Sequence, residues 1–132
     1  MEILKSKSGA TVINDTYNAN YDSMKAAITY LKEIENKRKI AILGDMLELG
    51  DYSKELHEKV GKEVDSNIDI LITIGKEAKY IAKEAKAKQI IECDNLEEAI
   101  EKIKKIETKD DAILLKASNG MKLFEIASAL CG

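Results

Sequence analysis

Apolar and polar positions are arranged in blocks along this chain. Short aliphatic runs alternate with longer stretches in which apolar residues recur every three or four positions. Residues 2–6 and 10–15 read as two short strands about Ser8-Gly9, a pair suited to a hairpin turn. Met24, Ala27, Ile28, Leu31 and Ile34 then mark one face of a helix that Asp22 or Ser23 can cap. Lys39 to Leu43 is a buried-strand run that stops at Gly44-Asp45, and a second helix after Tyr52-Ser53 carries Leu56, Val60 and Val64. Ile68 to Ile74 forms the next strand and closes at Gly75-Lys76; Ala78, Ile81, Ala82 and Ala85 mark a third helix, and Gln89 to Ile91 a short strand. Asn95, with Glu98 three residues on, predicts a capping-box-like start to a fourth helix bearing Leu96, Ala99, Ile100 and Ile103. Ala112 to Leu115 is the last strand, and Leu123, Phe124, Ala127 and Leu130 belong to the final helix.

Near-continuous apolar strands between amphipathic helices call for a parallel sheet covered on both faces. The predicted fold is therefore α/β in three layers, with about six strands, mostly parallel, and about five helices. The first hairpin strand is expected to run antiparallel at an edge. No linker, repeat or low-complexity tract interrupts the rhythm, so residues 1–132 read as one domain. That length suits a single domain, since domains cluster at roughly 100–150 residues.

Composition narrows the function. Basic and acidic residues nearly balance, 21 against 24 for a net charge of -3, which argues against the clustered basic excess of a nucleic-acid binder. No apolar run approaches the roughly 20 residues of a membrane span, and no signal-peptide pattern opens the chain. Cys93, Cys131 and the single His57 are too few and too scattered for a zinc site or a disulfide framework. Reduced thiols and a cytoplasmic location are the expectation, with no metal site in this domain.

In open parallel sheets, ligands bind beyond the carboxyl ends of the strands. The strand ends here read Asn14-Asp15-Thr16-Tyr17-Asn18-Ala19-Asn20, then Gly44-Asp45-Met46, then Gly75-Lys76, then Lys116-Ala117-Ser118-Asn119. Singly these are ordinary turn and cap residues; on one rim they make a candidate site. No glycine-rich phosphate loop is present: Gly44 and Gly50 have the wrong spacing, Asp51 follows instead of lysine, and Asp45, Glu48 and Asp51 would repel a triphosphate. Such a domain could still clamp a ribose or base through Asp15, Asn18 and Asn20. No Ser/His/Asp set is evident, and His57, placed inside a helix, is expected to be a half-buried packing or surface residue instead of a catalytic base.

Three segments carry a family resemblance. Asp15-Thr16-Tyr17-Asn18-Ala19-Asn20, continuing through Ser23-Met24-Lys25-Ala26-Ala27, resembles the D-x-Y-N-A-N…S-M…A-A motif of Mur ligases. Gly44-Asp45-Met46-Leu47-Glu48-Leu49-Gly50, with His57 and Val60-Gly61 downstream, resembles their G-D-M-x-E-L-G…H…V-G stretch, and Leu114-Leu115-Lys116-Ala117-Ser118-Asn119 their closing L-V-K-G-S-R segment. The resemblance spans nearly the whole chain and implies the Rossmann-like C-terminal domain of a three-domain enzyme, with no catalytic residue of its own. The first two motifs point to the member that joins D-alanyl-D-alanine to a UDP-N-acetylmuramoyl-tripeptide, using ATP and Mg2+ held mainly by a central domain.

By this resemblance Asp15, Tyr17, Asn18 and Asn20 would serve nucleotide binding and domain closure. Lys116, bringing a free cation to the rim, and Ser118 and Asn119, at the start of the last helix, would serve substrate binding, and Gly44, Asp45 and Glu48 would form the motif loop. The chain would work with the N-terminal and central domains of the same polypeptide, which is expected to continue upstream of Met1. Tyr21 stands where many relatives have proline, Ala117 where they have glycine, and Asn119 where they have arginine, which removes a bidentate carboxylate donor. Two other readings remain at this point: a different Mur-type or folylpolyglutamate-type ligase, and a phosphoacceptor signalling domain using Asp15, Asp45 and Lys116.

Overall fold

A computed structural model describes residues 1–132. The hairpin forms as expected: β1 (Glu2–Lys5) and β2 (Thr11–Asn14) pair antiparallel. Gly9 holds a φ of +93° in the turn, a conformation in which a side chain would be strained. Then follow α1 (Tyr21–Glu33), β3 (Arg38–Gly44), α2 (Ser53–Gly61), β4 (Ile70–Ile74), α3 (Lys79–Glu84), β5 (Gln89–Cys93), α4 (Leu96–Ile106), β6 (Asp111–Lys116) and α5 (Phe124–Cys131). All six strands lie in one sheet of order β1-β2-β6-β3-β4-β5, parallel except for the edge strand β1.

The period of two along each strand sorts side chains to opposite faces. In β3, Ile40 and Ile42 join a core with α4 and α5, whereas Ala41 and Leu43 join a second core with α1, α2 and α3. Each core holds 17 buried residues. The steps β2-α1-β3, β3-α2-β4 and β4-α3-β5 advance in one direction across the sheet, and β5-α4-β6 returns. Crossovers of one hand must place the returning helix on the other face, which accounts for the division of helices.

Several boundaries differ from the sequence reading. The first helix is capped by Asn20, not by Asp22 or Ser23: Asn20 Oδ1 accepts the Ser23 N–H at 2.8 Å, and Ser23 Oγ accepts the Asn20 N–H at 2.9 Å. Tyr21 thus occupies the first helical position, where proline is also favoured. Val64 lies beyond the end of α2. β4 begins at Ile70, and just before it the Asp69 carboxylate accepts the Lys39 N–H at 2.8 Å. Burial alone would push the Asp69 carboxyl up, but that N–H together with Lys88 and Arg38 holds it below the ordinary range.

At the amino end of the sheet, Asp111 is fully buried and receives Arg38 in a two-pronged pair, 2.8 Å from Nε and 2.9 Å from an Nη. It also accepts the Thr108 N–H at 2.7 Å. The Asp111 bond is the largest influence raising the Arg38 pKa. This clasp joins β3 to β6 where both enter the sheet. Replacing Asp111 with alanine is expected to cost about 2 kcal/mol of unfolding free energy. Breaking the exposed Lys105–Glu101 pair should leave the urea midpoint unchanged.

Candidate functional site

β6 lies between β2 and β3, and the connections leaving these three strands pass to opposite faces of the sheet: α1 and α2 to one side, α5 to the other. That is a topological switch point, and the loops around it form the candidate site. Sequence-distant residues meet here. Lys116, only 2% exposed, donates to Asp15 Oδ2 at 3.0 Å and to the Asn18 carbonyl at 2.9 Å. Its ammonium is therefore not the free rim cation that the sequence suggested. It is a buried strut between the β2 and β6 loops. Asp15, Tyr17, Asn18 and Lys116 line a shallow cavity of ≈ 380 Å³ with Met1, Ser23, Ala26 and Ala27.

The other residues are placed less uniformly. Asn18 Oδ1 accepts the Ala19 N–H at 2.9 Å, leaving its amide NH2 available, and Asn20 Oδ1 is committed to the helix cap. Tyr17 is 85% exposed, so its ring is open to a flat partner. Ser118 and Asn119 do not begin α5 as expected. A single 3-10 turn, Asn119–Met121, and a left-handed Lys122 (φ 58°) come first, because Ser118 is held elsewhere. Its N–H donates to the Asp45 carbonyl at 3.0 Å and its Oγ accepts the Leu47 N–H at 2.8 Å.

The Gly44–Leu47 loop is the hub. Asp45 is buried, and its Oδ1 accepts the Ala78 N–H at 2.7 Å in the connection after β4. A carboxylate so enclosed is not presented for phosphorylation, which removes the phosphoacceptor reading. Glu48 stands in the left-handed region (φ 64°) at the exposed end of the loop. His57 is fully buried, contrary to expectation. Its Nε2 accepts the Met46 N–H at 3.0 Å, so the proton sits on Nδ1, which donates to the Ser53 carbonyl at 2.7 Å. Ser53 Oγ in turn donates to Glu77 Oε1 at 2.5 Å. Both ring nitrogens are occupied, so this Ser/His/Glu cluster is no hydrolytic triad. The sequence reading missed Ser53 and Glu77; the four-residue spacing of Ser53 and His57 on one helix was their only signal.

A larger cavity of ≈ 580 Å³ lies apart, among Ile74, Leu96, Ile100 and Met121 with Asp94, Glu97 and Glu125. Its carboxylates disfavour an anionic ligand, so the Asp15–Lys116 depression is the better nucleotide candidate. Tyr17, which lines that depression, and Leu47, Tyr52 and Phe124 expose apolar surface, all on loops or helix starts at the carboxyl side of the strands.

Two expectations for solution work follow. A Cβ on Gly44 would lie 2.9 Å from the Ala117 Cβ and 3.2 Å from Leu123 Cδ1. Gly44→Ala should therefore destabilise by about 2 kcal/mol, and adding Ala117→Gly should recover at least half of that in a double-mutant cycle by urea denaturation. Burial pushes the Cys93 thiol up to about 11, so it stays protonated at neutral pH. Iodoacetamide at pH 7.5 should leave Cys93 unmodified in the folded protein and label it on unfolding, as read by peptide mass analysis.

Comparison with known proteins agrees with this fold. The family model described as Mur ligase, glutamate ligase domain, matches residues 1–119. The UDP-N-acetylmuramoyl-tripeptide–D-alanyl-D-alanine ligase of Bacillus subtilis is 38% identical over 136 residues, covering 98% of this chain and 30% of its own length. The enzyme of the same name from Rickettsia prowazekii is 38% identical over 119 residues, covering 87% and 26% respectively. The crystal structure of MurF ligase from Thermotoga maritima in complex with ADP superposes with a TM-score of 0.82 at 29% identity, over 97% of this chain and 29% of that one. The chain thus spans about 30% of the length of the curated relatives it matches.

Proposed function

The chain belongs to the Mur ligase family, and on that premise we propose that it is the C-terminal domain of the ATP-dependent ligase that joins D-alanyl-D-alanine to a UDP-N-acetylmuramoyl-tripeptide in cytoplasmic peptidoglycan precursor synthesis. The observation that carries this reading is the rim at the carboxyl ends of β2, β6 and β3. There Asp15, Tyr17, Asn18 and Lys116 line a shallow depression, and Tyr17, Leu47, Tyr52 and Phe124 expose apolar surface on loops or helix starts at the same end of the sheet, which together offer half of a site and half of an interface. The partner surface is the central domain of the same polypeptide, with the N-terminal domain holding the UDP-sugar.

The residues present fit one end of a nucleotide. Asp15 can accept from ribose hydroxyls, the Asn18 NH2 can donate, and the Tyr17 ring offers a stacking face. They do not fit the phosphates. No glycine-rich cradle is present, and no group of three or more His, Cys, Asp or Glu side chains stands close enough to hold a metal ion. We therefore assign the triphosphate, Mg2+ and activation of the tripeptide carboxyl to the central domain. Ser118, Asn119 and the adjoining turn face the incoming dipeptide. With asparagine in place of arginine there, its carboxylate would be met by neutral donors.

The test uses the full-length ligase. ATP consumption should require both UDP-N-acetylmuramoyl-tripeptide and D-alanyl-D-alanine, and substituting D-alanine or L-glutamate for the dipeptide should cut kcat/KM by at least about a hundredfold. Asp15→Ala should lower kcat/KM for ATP by about tenfold. A preference for another amino acid or for a folate substrate would instead identify a different ligase of this family. Tight ATP binding and hydrolysis by residues 1–132 alone would defeat the proposed division of labour.

A further inference from the structure

We infer that His57 is a positioning residue for this ligase, holding the Gly44–Leu47 loop, and through it the Ser118 turn, in the conformation the substrate site requires. The inference rests on the function proposed above. The loop has four polar tethers: Asp45 Oδ1 to the Ala78 N–H, the Asp45 carbonyl to the Ser118 N–H, the Leu47 N–H to Ser118 Oγ, and the Met46 N–H to His57 Nε2. The two Ser118 bonds join loop to loop, and the Asp45 bond reaches the backbone of Ala78, the N-cap of α3. Of the four, the His57 bond alone runs to a side chain within a core helix, α2.

The geometry of that bond is determined from behind. The Nδ1–H donates to the Ser53 carbonyl of the same helix, which sets both tautomer and ring orientation, and Ser53 is itself held by Glu77. An imidazole that is fully buried with both nitrogens engaged cannot exchange protons with a substrate. Its volume could be supplied by an apolar side chain. What an apolar side chain could not supply is an acceptor for the Met46 N–H, in a residue itself 1% exposed. Losing the acceptor strands a buried donor, and the loop must then shift toward water to satisfy it. Leu47 is the next residue, so the shift is transmitted directly to Ser118 and the turn beyond it.

Two substitutions separate the acceptor from the volume. In the full-length ligase, His57→Phe keeps the bulk and removes the acceptor, whereas His57→Gln places an amide oxygen near the position of Nε2. The Phe variant is expected to raise amide exchange across residues 45–48 by about tenfold and to raise KM for D-alanyl-D-alanine by a similar factor, with a smaller change in kcat. The Gln variant should return both readouts to within about threefold of the parent. If the Phe variant fails to fold, His57→Leu in its place gives the same comparison against Gln. Unchanged exchange in a folded Phe or Leu variant overturns the inference, as does a Gln variant as impaired as Phe. If the parent enzyme proves not to ligate D-alanyl-D-alanine, the function proposed above fails, and the exchange comparison still decides whether His57 holds the loop.

Discussion

The last strand of the chain is inserted between two of the earliest, and the rest of the molecule depends on that insertion. β6 pairs with β2 on one side and β3 on the other, and all six of its residues are buried. Closing that arrangement brings residues about a hundred positions apart together, an entropic cost that grows only slowly with loop length. Burial on both faces of a strand rich in Ile and Leu offsets it, with the Arg38–Asp111 clasp holding the register at the amino end. The same insertion brings Lys116 between the Asp15 loop and the Asp45 loop. Without it there is no rim.

Once formed, the rim is built as a hydrogen-bonded lattice instead of a ring of free charges. Lys116 is paired with Asp15 and a carbonyl, Asp45 with a backbone amide, and His57 with another. Taking a lysine and a carboxylate out of water contributes little net stability. What such a pair supplies is a defined spacing between loops. A surface prepared in this way would not need to reorganise to bind a ligand or a second domain, which would lower the entropic cost of such binding.

Close approach of backbone imposes a further condition. Gly44 and Ala117 leave adjacent strands at the same level, and the alanine methyl occupies the space that a Cβ on residue 44 would need. Gly75, at a φ of +112°, similarly leaves room for the Asp45 carboxylate, 2.5 Å from where its Cβ would lie. Alanine in place of the family's glycine at position 117 is accommodated because Gly44 faces it.

The sequence by itself determined the layers and the antiparallel edge hairpin, and pointed to the rim as the candidate site. Alternation within strands and the helical spacing of apolar residues are local signals, and the motifs at Asp15 to Asn20 and Gly44 to Gly50 are each short contiguous stretches at a strand end. It could not give the state of the side chains on that rim. Lys116 reads as a free cation until Asp15 is known to be 3.0 Å away. His57 reads as a packing or surface residue until the Met46 amide is found against it, and Ser118 as a helix start until Asp45 and Leu47 claim its polar groups. Each of these depends on partners contributed by another loop. Which loops become neighbours was decided only when β6 entered the sheet between β2 and β3.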